Sequence, residues 1–144
     1  MASQSEICQR DWSHSPRWNR AREFSTTVHE EKSPTINGDG KQTRDFTFVD
    51  NAVQANIKGF FASDKAKNNV FNVACGERID LNYLWDVLKS SANSELNAAY
   101  GPPRLGDVRD SLANIAKAQK LMGYQPQFTV REGLRITWDW FKNQ

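Results

Sequence analysis

The chain has 144 residues, enough for one domain with a modest core. Its hydrophobic fraction of 38% is low for a globular protein, and its net charge of +2, spread over scattered Lys and Arg, argues against nucleic acid as the main partner. No apolar run approaches a membrane span, no basic stretch leads into a signal-peptide core, and Cys8 and Cys75 suit neither a metal site nor a disulfide framework, so a reduced, cytoplasmic setting is expected.

Residues 1–32 carry many Ser, Arg, Glu and Gln and show no sustained period of two or of 3.6. Trp12, Trp18, Phe24 and Val28 are too sparse to build a face, and the segment reads as disordered or loosely attached. Both histidines, His14 and His29, fall there and read as solvated.

From Ser33 the pattern sharpens. Pro34–Gly40 predicts a short strand and tight turn, and Asp45–Val49 a second strand. Asp50 is placed to cap a helix over about 51–61, with Val53, Ile57, Phe60 and Phe61 as its apolar stripe. Val70–Ala74 reads as a buried strand. Asp80 can cap a helix with the stripe Leu81, Leu84, Trp85 and Leu88. A strand within Glu95–Tyr100 leads to Pro102-Pro103. Asn114 then opens a helix carrying Ile115, Ala118, Leu121 and Met122, which Gly123 ends in the left-handed conformation. Thr129 and Glu132 form a capping box for the last helix, whose stripe is Val130, Leu134, Trp138 and Phe141.

Two short runs could carry chemistry. Asn37-Gly38 is a hairpin signal, and around it Arg44 is either solvated on a strand edge or points its planar fork at a phosphate. In Pro103–Ser111, Gly106 permits a close turn between Arg104 and Asp107. Those two form either a local ion pair or a clamp, with the cation on a diphosphate and the carboxylate on ribose hydroxyls; with Arg109 and Asp110 they could instead form a surface ion-pair network. Cys75 has no histidine nearby in sequence and reads as a buried structural thiol. Trp138 and Trp140 read as core and edge residues of the last helix.

Taken together, Ile36–Gly40, Thr43-Arg44-Asp45-Phe46, Val49-Asp50-Asn51, Phe71-Asn72-Val73, Gly76-Glu77-Arg78, Arg104–Arg109 and Leu121–Tyr124 resemble the C-terminal portion of the extended short-chain dehydrogenase/reductase family of sugar epimerases and dehydratases. The resemblance is to the UDP-hexose 4-epimerases and runs from about Pro34 to Phe141, about three quarters of the chain. It implies an α/β fold of short strands plus about four helices, the substrate-binding portion of such an enzyme without the complete Rossmann domain. The expected division is a non-family segment 1–32 and a nucleotide-sugar-binding portion 33–144. The resemblance further implies that Arg44 and Arg104 contact the UDP diphosphate, that Asp107 meets the ribose hydroxyls, and that backbone near Ile36 and Asn37 lies beside the uracil. Ser111 corresponds to a position bordering the hexose C2 substituent. A small residue there implies room for an N-acetyl group, as in UDP-N-acetylglucosamine.

The family's other half has no counterpart here. No Gly-x-x-Gly-x-x-Gly follows a strand, and no lysine lies four residues after Tyr83, Tyr100 or Tyr124. The expectation is therefore a truncated epimerase that binds UDP-sugar weakly and is inactive alone. The full-length family uses NAD, and none is expected to bind this chain. Residues 1–32 read as unrelated or out-of-frame sequence. The alternatives are a non-catalytic UDP-sugar-binding or interaction module, and an inert relic. Self-association through uncovered helix stripes is expected, with no role for membrane or nucleic acid.

Overall fold

Helices far apart in sequence meet on one apolar centre. The computed structural model describes residues 20–143. Helix α1 (Arg20–His29), α3 (Leu81–Ala92) and α5 (Val130–Phe141) pack against one another. They bury Phe24, Val28, Leu81, Leu84, Trp85, Leu88, Val130 and Leu134 around Ile36 of strand β1 (Thr35–Asn37). Phe24 meets Trp85 edge to face, with ring centroids 5.8 Å apart. That geometry suits the quadrupoles of two aromatic rings.

The place of α1 in this core corrects the reading of 1–32 over its described part. Ala21, Phe24 and Val28 form a narrow stripe, and Ser25 is buried by donating its hydroxyl to the Ala21 carbonyl. A Schellman motif ends the helix. Glu31 takes positive φ, its N–H reaches the Val28 carbonyl, and the Lys32 N–H reaches that of Thr27. The partners that justify this helix lie more than fifty residues downstream, where local periodicity cannot register them. Cys8, Trp12, His14 and Trp18 lie outside the described residues.

Strand β1 pairs in parallel with β4 (Ala99–Gly101), with Ile36 opposite Tyr100. Strand β2 (Thr43–Arg44) pairs antiparallel with β3 (Ile79–Asp80). The Asn37-Gly38 hairpin therefore does not form. The Gly38 N–H extends the parallel ladder to the Gly101 carbonyl. Gly40, at φ +72°, turns its own carbonyl onto the N–H groups of Leu81 and Asn82. The glycine loop thus caps α3, satisfying donors that a helix start leaves free. Asp80 supplies the expected cap as well, accepting from the Tyr83 N–H at 2.7 Å.

Further expectations shift. Residues 45–49 are not strand; helix α2 (Val49–Phe60) begins at Val49 after Phe48, so Asp50 lies in its first turn and does not cap it. Phe48 is held by tertiary packing, edge to face with Phe128 and against Gly133. Residues 70–74 form no strand, because among the described residues no strand runs beside them. Phe71 and Val73 instead pack with Tyr124, Ala55 and Ala118, and the Tyr124 hydroxyl donates to the Ala74 carbonyl. Helix α4 (Ala116–Met122) starts one residue later than expected, although Asn114 still accepts the Ala116 N–H. Gly123 ends it at φ +63°, and the Thr129–Glu132 capping box opens α5, both as expected. A 3₁₀ turn at Asp64–Ala66 follows α2.

Candidate functional site

Strand β2 is laced to the chain near Asp107 by backbone on both sides of Thr43. The Thr43 N–H donates to the Arg109 carbonyl and the Ser111 N–H to the Thr43 carbonyl, making a parallel bridge between Thr43 and Asp110. The Thr43 hydroxyl adds a 2.7 Å bond to the Asp110 carboxylate. The two sequence runs thereby become one surface.

On that surface Arg44 donates through Nη2 to Asp107 Oδ1 at 2.6 Å, and through Nη1 to the carbonyls of Thr43 and Arg109. Its side chain is only 14% exposed, which rules out an arginine solvated on a hairpin edge. Arg104 to Asp107 is a tight turn closed by the Asp107 N–H on the Arg104 carbonyl. Gly106, at φ +76°, sits at the third position, as a type II turn requires. Arg109 reaches Asp39 at 3.4 Å. The Asp39 carboxyl is held below its usual range, chiefly by the Lys41 backbone N–H, with Arg109 assisting.

Arg20, Gln42, Arg44, Leu81, Arg104 and Asp107 line one cleft of about 20 Å³. Three of the expected site residues, Arg44, Arg104 and Asp107, thus converge, and Arg20 joins them from the segment expected to be disordered. The cleft has room for about one water. A larger anion must therefore displace side chains. Asn37 borders this region through its carbonyl, which accepts from the cleft-lining Gln42 amide at 2.7 Å. Ile36 does not contribute its side chain, which is fully buried in the core. Ser111 is half-buried beyond the Thr43–Asp110 bridge and is not among the residues lining the cleft.

Two organising residues escaped the sequence reading of the site. Asp45 accepts from the N–H groups of Cys75, Gly76 and Ala113. It carries the lacing one step past the backbone bridge. Burial pushes its carboxyl above the usual range, against the opposing pull of those N–H groups. Asn51 is fully buried, accepting from the N–H groups of Gln127 and Phe128 and donating to the Phe128 carbonyl. Both belong to quoted motifs, but nothing local reveals partners so distant. Cys75 is a half-buried thiol pushed up to about 11 by burial, with Glu77 and Asp45 adding to the shift, as suits a structural role.

The arrangement gathers three arginines and one carboxylate at one cleft. Among the described residues no cluster of histidine, cysteine and carboxylates could hold a metal, and no helix is long and apolar enough to cross a membrane.

Comparison with known proteins places the chain beside sugar-nucleotide epimerases. Residues 17–74 match the NAD dependent epimerase/dehydratase family, so the match begins inside the segment expected to be unlike that family. A putative UDP-glucose 4-epimerase of Methanocaldococcus jannaschii is 34% identical over 83% of this chain and 38% of its own length. The UDP-glucose 4-epimerase of Mycolicibacterium smegmatis is 31% identical over 84% of this chain and 38% of its own. Among solved structures, the UDP-N-acetylglucosamine 4-epimerase of Methanobrevibacter ruminantium, in complex with UDP-N-acetylmuramic acid, superposes with a TM-score of 0.81 at 33% identity, over 91% of this chain and 41% of that one. The UDP-glucose 4-epimerase of Thermotoga maritima with UDP-glucose gives 0.80 at 32% identity, over 85% and 39%. The chain spans about two fifths of the length of the relatives it matches.

Proposed function

We propose, for a chain that belongs to the NAD-dependent epimerase/dehydratase family, that its cleft binds the diphosphate of a UDP-sugar through Arg44 and Arg104. Asp107 receives the ribose hydroxyls, and backbone at Ile36 and Asn37 borders the uracil. Ser111 leaves space for an N-acetyl group. The observation that carries the reading is the convergence of Arg44, Arg104 and Asp107 on one cleft from sequence positions about sixty apart. Arginine suits a diphosphate because its planar fork keeps its charge and presents paired donors.

The chain supplies recognition and no hydride chemistry. The sequence holds neither the glycine fingerprint that seats a dinucleotide nor a Tyr-x-x-x-Lys pair. These residues therefore do not fit NAD, and the 144-residue chain is read as inactive by itself. Thermal shift with UDP and with uridine tests the binding reading. Stabilisation by UDP that uridine fails to reproduce supports it. Equal response to both, or none to either, contradicts it.

A further inference from the structure

The cleft holds an arginine that the proposed diphosphate site does not use. Arg20, the first residue of α1, lines the cleft with Arg44 and Arg104, and its side chain is only 14% exposed. Its Nη1 donates to both Glu23 carboxylate oxygens, at 3.0 and 2.9 Å. Arg44 is held in the same way by Asp107 at 2.6 Å. Two of the three cations at the cleft thus carry a carboxylate as partner.

Three guanidinium groups around so small a cleft repel one another, and the protein places two carboxylates against them. Three cations against two carboxylates leave one positive charge in excess at this place. Phosphate oxygens bond a guanidinium fork as carboxylates do. They can therefore exchange with the carboxylates without leaving an arginine unpaired in a partly buried position. Core packing fixes Arg20 in place, since Phe24 and Val28 hold α1 against α3.

We infer that Arg20 is a third anion-binding residue of this cleft, exchanging Glu23 for the diphosphate of a nucleoside diphosphate ligand, with Glu23 acting as a competing internal anion. The inference rests on the proposed diphosphate reading and extends it to α1.

Calorimetric titration of the full chain with UDP tests it, using the parent, Arg20→Ala, Glu23→Gln and Arg44→Ala. Loss of one charge-assisted contact in Arg20→Ala weakens UDP roughly ten-fold. Glu23→Gln removes the competitor and tightens UDP about two- to three-fold, a gain that misfolding cannot imitate. Parent-like affinity in both Arg20→Ala and Glu23→Gln, with affinity lost in Arg44→Ala, overturns the assignment of Arg20 alone. Absence of UDP binding by the parent chain overturns the diphosphate reading together with it.

Discussion

Arg44 and Asp107 form a 2.6 Å ion pair across 63 residues of chain, joining the two motifs that carry the proposed function. Both side chains are mostly shielded from solvent, at 14% and 27% exposure. The pair occupies the Arg44 side of the cleft, and in the proposed reading a phosphate reaches Arg44 by displacing Asp107. Changing Asp107 to Asn frees Arg44 and removes the carboxylate proposed to receive the ribose. Affinity for inorganic pyrophosphate should then rise, by about two- to five-fold on the scale of a partly exposed ion pair, while affinity for UDP falls. Calorimetry with the two ligands checks the split; parallel changes for both contradict it.

The buried amide of Asn51 ties α2 to the chain before α5. Asn51→Ala leaves the N–H groups of Gln127 and Phe128 without their side-chain partner and the Phe128 carbonyl with only the Cys75 thiol. An unmet buried group costs about 1–3 kcal/mol, so the loss of stability should be at least about 2 kcal/mol. A urea denaturation midpoint unchanged from the parent contradicts that role.

Gly40 and Gly106 separate two causes of glycine preference. Both have positive φ, +72° and +76°. A Cβ on Gly40 would run into the Asn82 side-chain amide, whereas one on Gly106 meets nothing within 4 Å. Gly106→Ala should cost about 1 kcal/mol through conformation alone. Gly40→Ala should cost more, because it also disturbs the carbonyl that caps α3. Equal shifts in thermal unfolding argue that the cap contributes nothing.

These residues also show how far the sequence was legible. The capping box at Thr129, the Asp80 cap, the Gly123 terminator and the α3 stripe are local signals, and each appears as expected. A shared site for Arg44, Arg104 and Asp107 was implied only by the family resemblance of the two runs, since their local sequence left ion-pair and clamp readings open. The course of the glycine loop and the start of α2 were not legible, because tertiary partners set both: α3 for Gly40, and Phe128 with Gly133 for Phe48. Helix α1 was hidden for the same reason. Its stripe gains meaning only against α3 and α5, and Arg20 came into view with it.

Alkaline pH should loosen the region around Ala74 and Cys75. The Cys75 thiol is raised from 9.0 to about 11 and the Tyr124 phenol from 10.0 to about 12, in both cases mainly by burial. The folded state therefore holds these protons more tightly than the unfolded chain does. Their contribution to stability is fully present below pH 9 and is lost as pH rises towards 11 and 12. Denaturation midpoints should fall across that window. At pH 8, alkylation of the Cys75 peptide should run about two orders of magnitude slower than that of a free cysteine. Rapid labelling of Cys75 at pH 8 contradicts the assigned environment.

Helix α2 and the Phe61 that follows it expose apolar side chains, with Ile57 at 55%, Phe60 at 82% and Phe61 at 78%. Uncovered faces of this kind favour association. Sedimentation velocity should show concentration-dependent self-association of the chain, reduced by a combined Ile57→Lys and Phe60→Lys variant. A monodisperse monomer across concentrations contradicts this.

The central claim is a diphosphate clamp built from Arg44 and Arg104, and calorimetry with UDP on the parent, Arg44→Ala, Arg104→Ala and Arg131→Ala tests it most directly. Arg131 lies exposed on α5, is not among the cleft-lining residues, and serves as the charge-matched control. Charge-assisted hydrogen bonds contribute about 1.5–3 kcal/mol, so losing either clamp arginine should weaken UDP at least roughly ten-fold. The clamp predicts weak but measurable binding by the parent, the same affinity in Arg131→Ala, and no detectable binding in the other two. Equal affinity in all four proteins, or none in the parent, contradicts it.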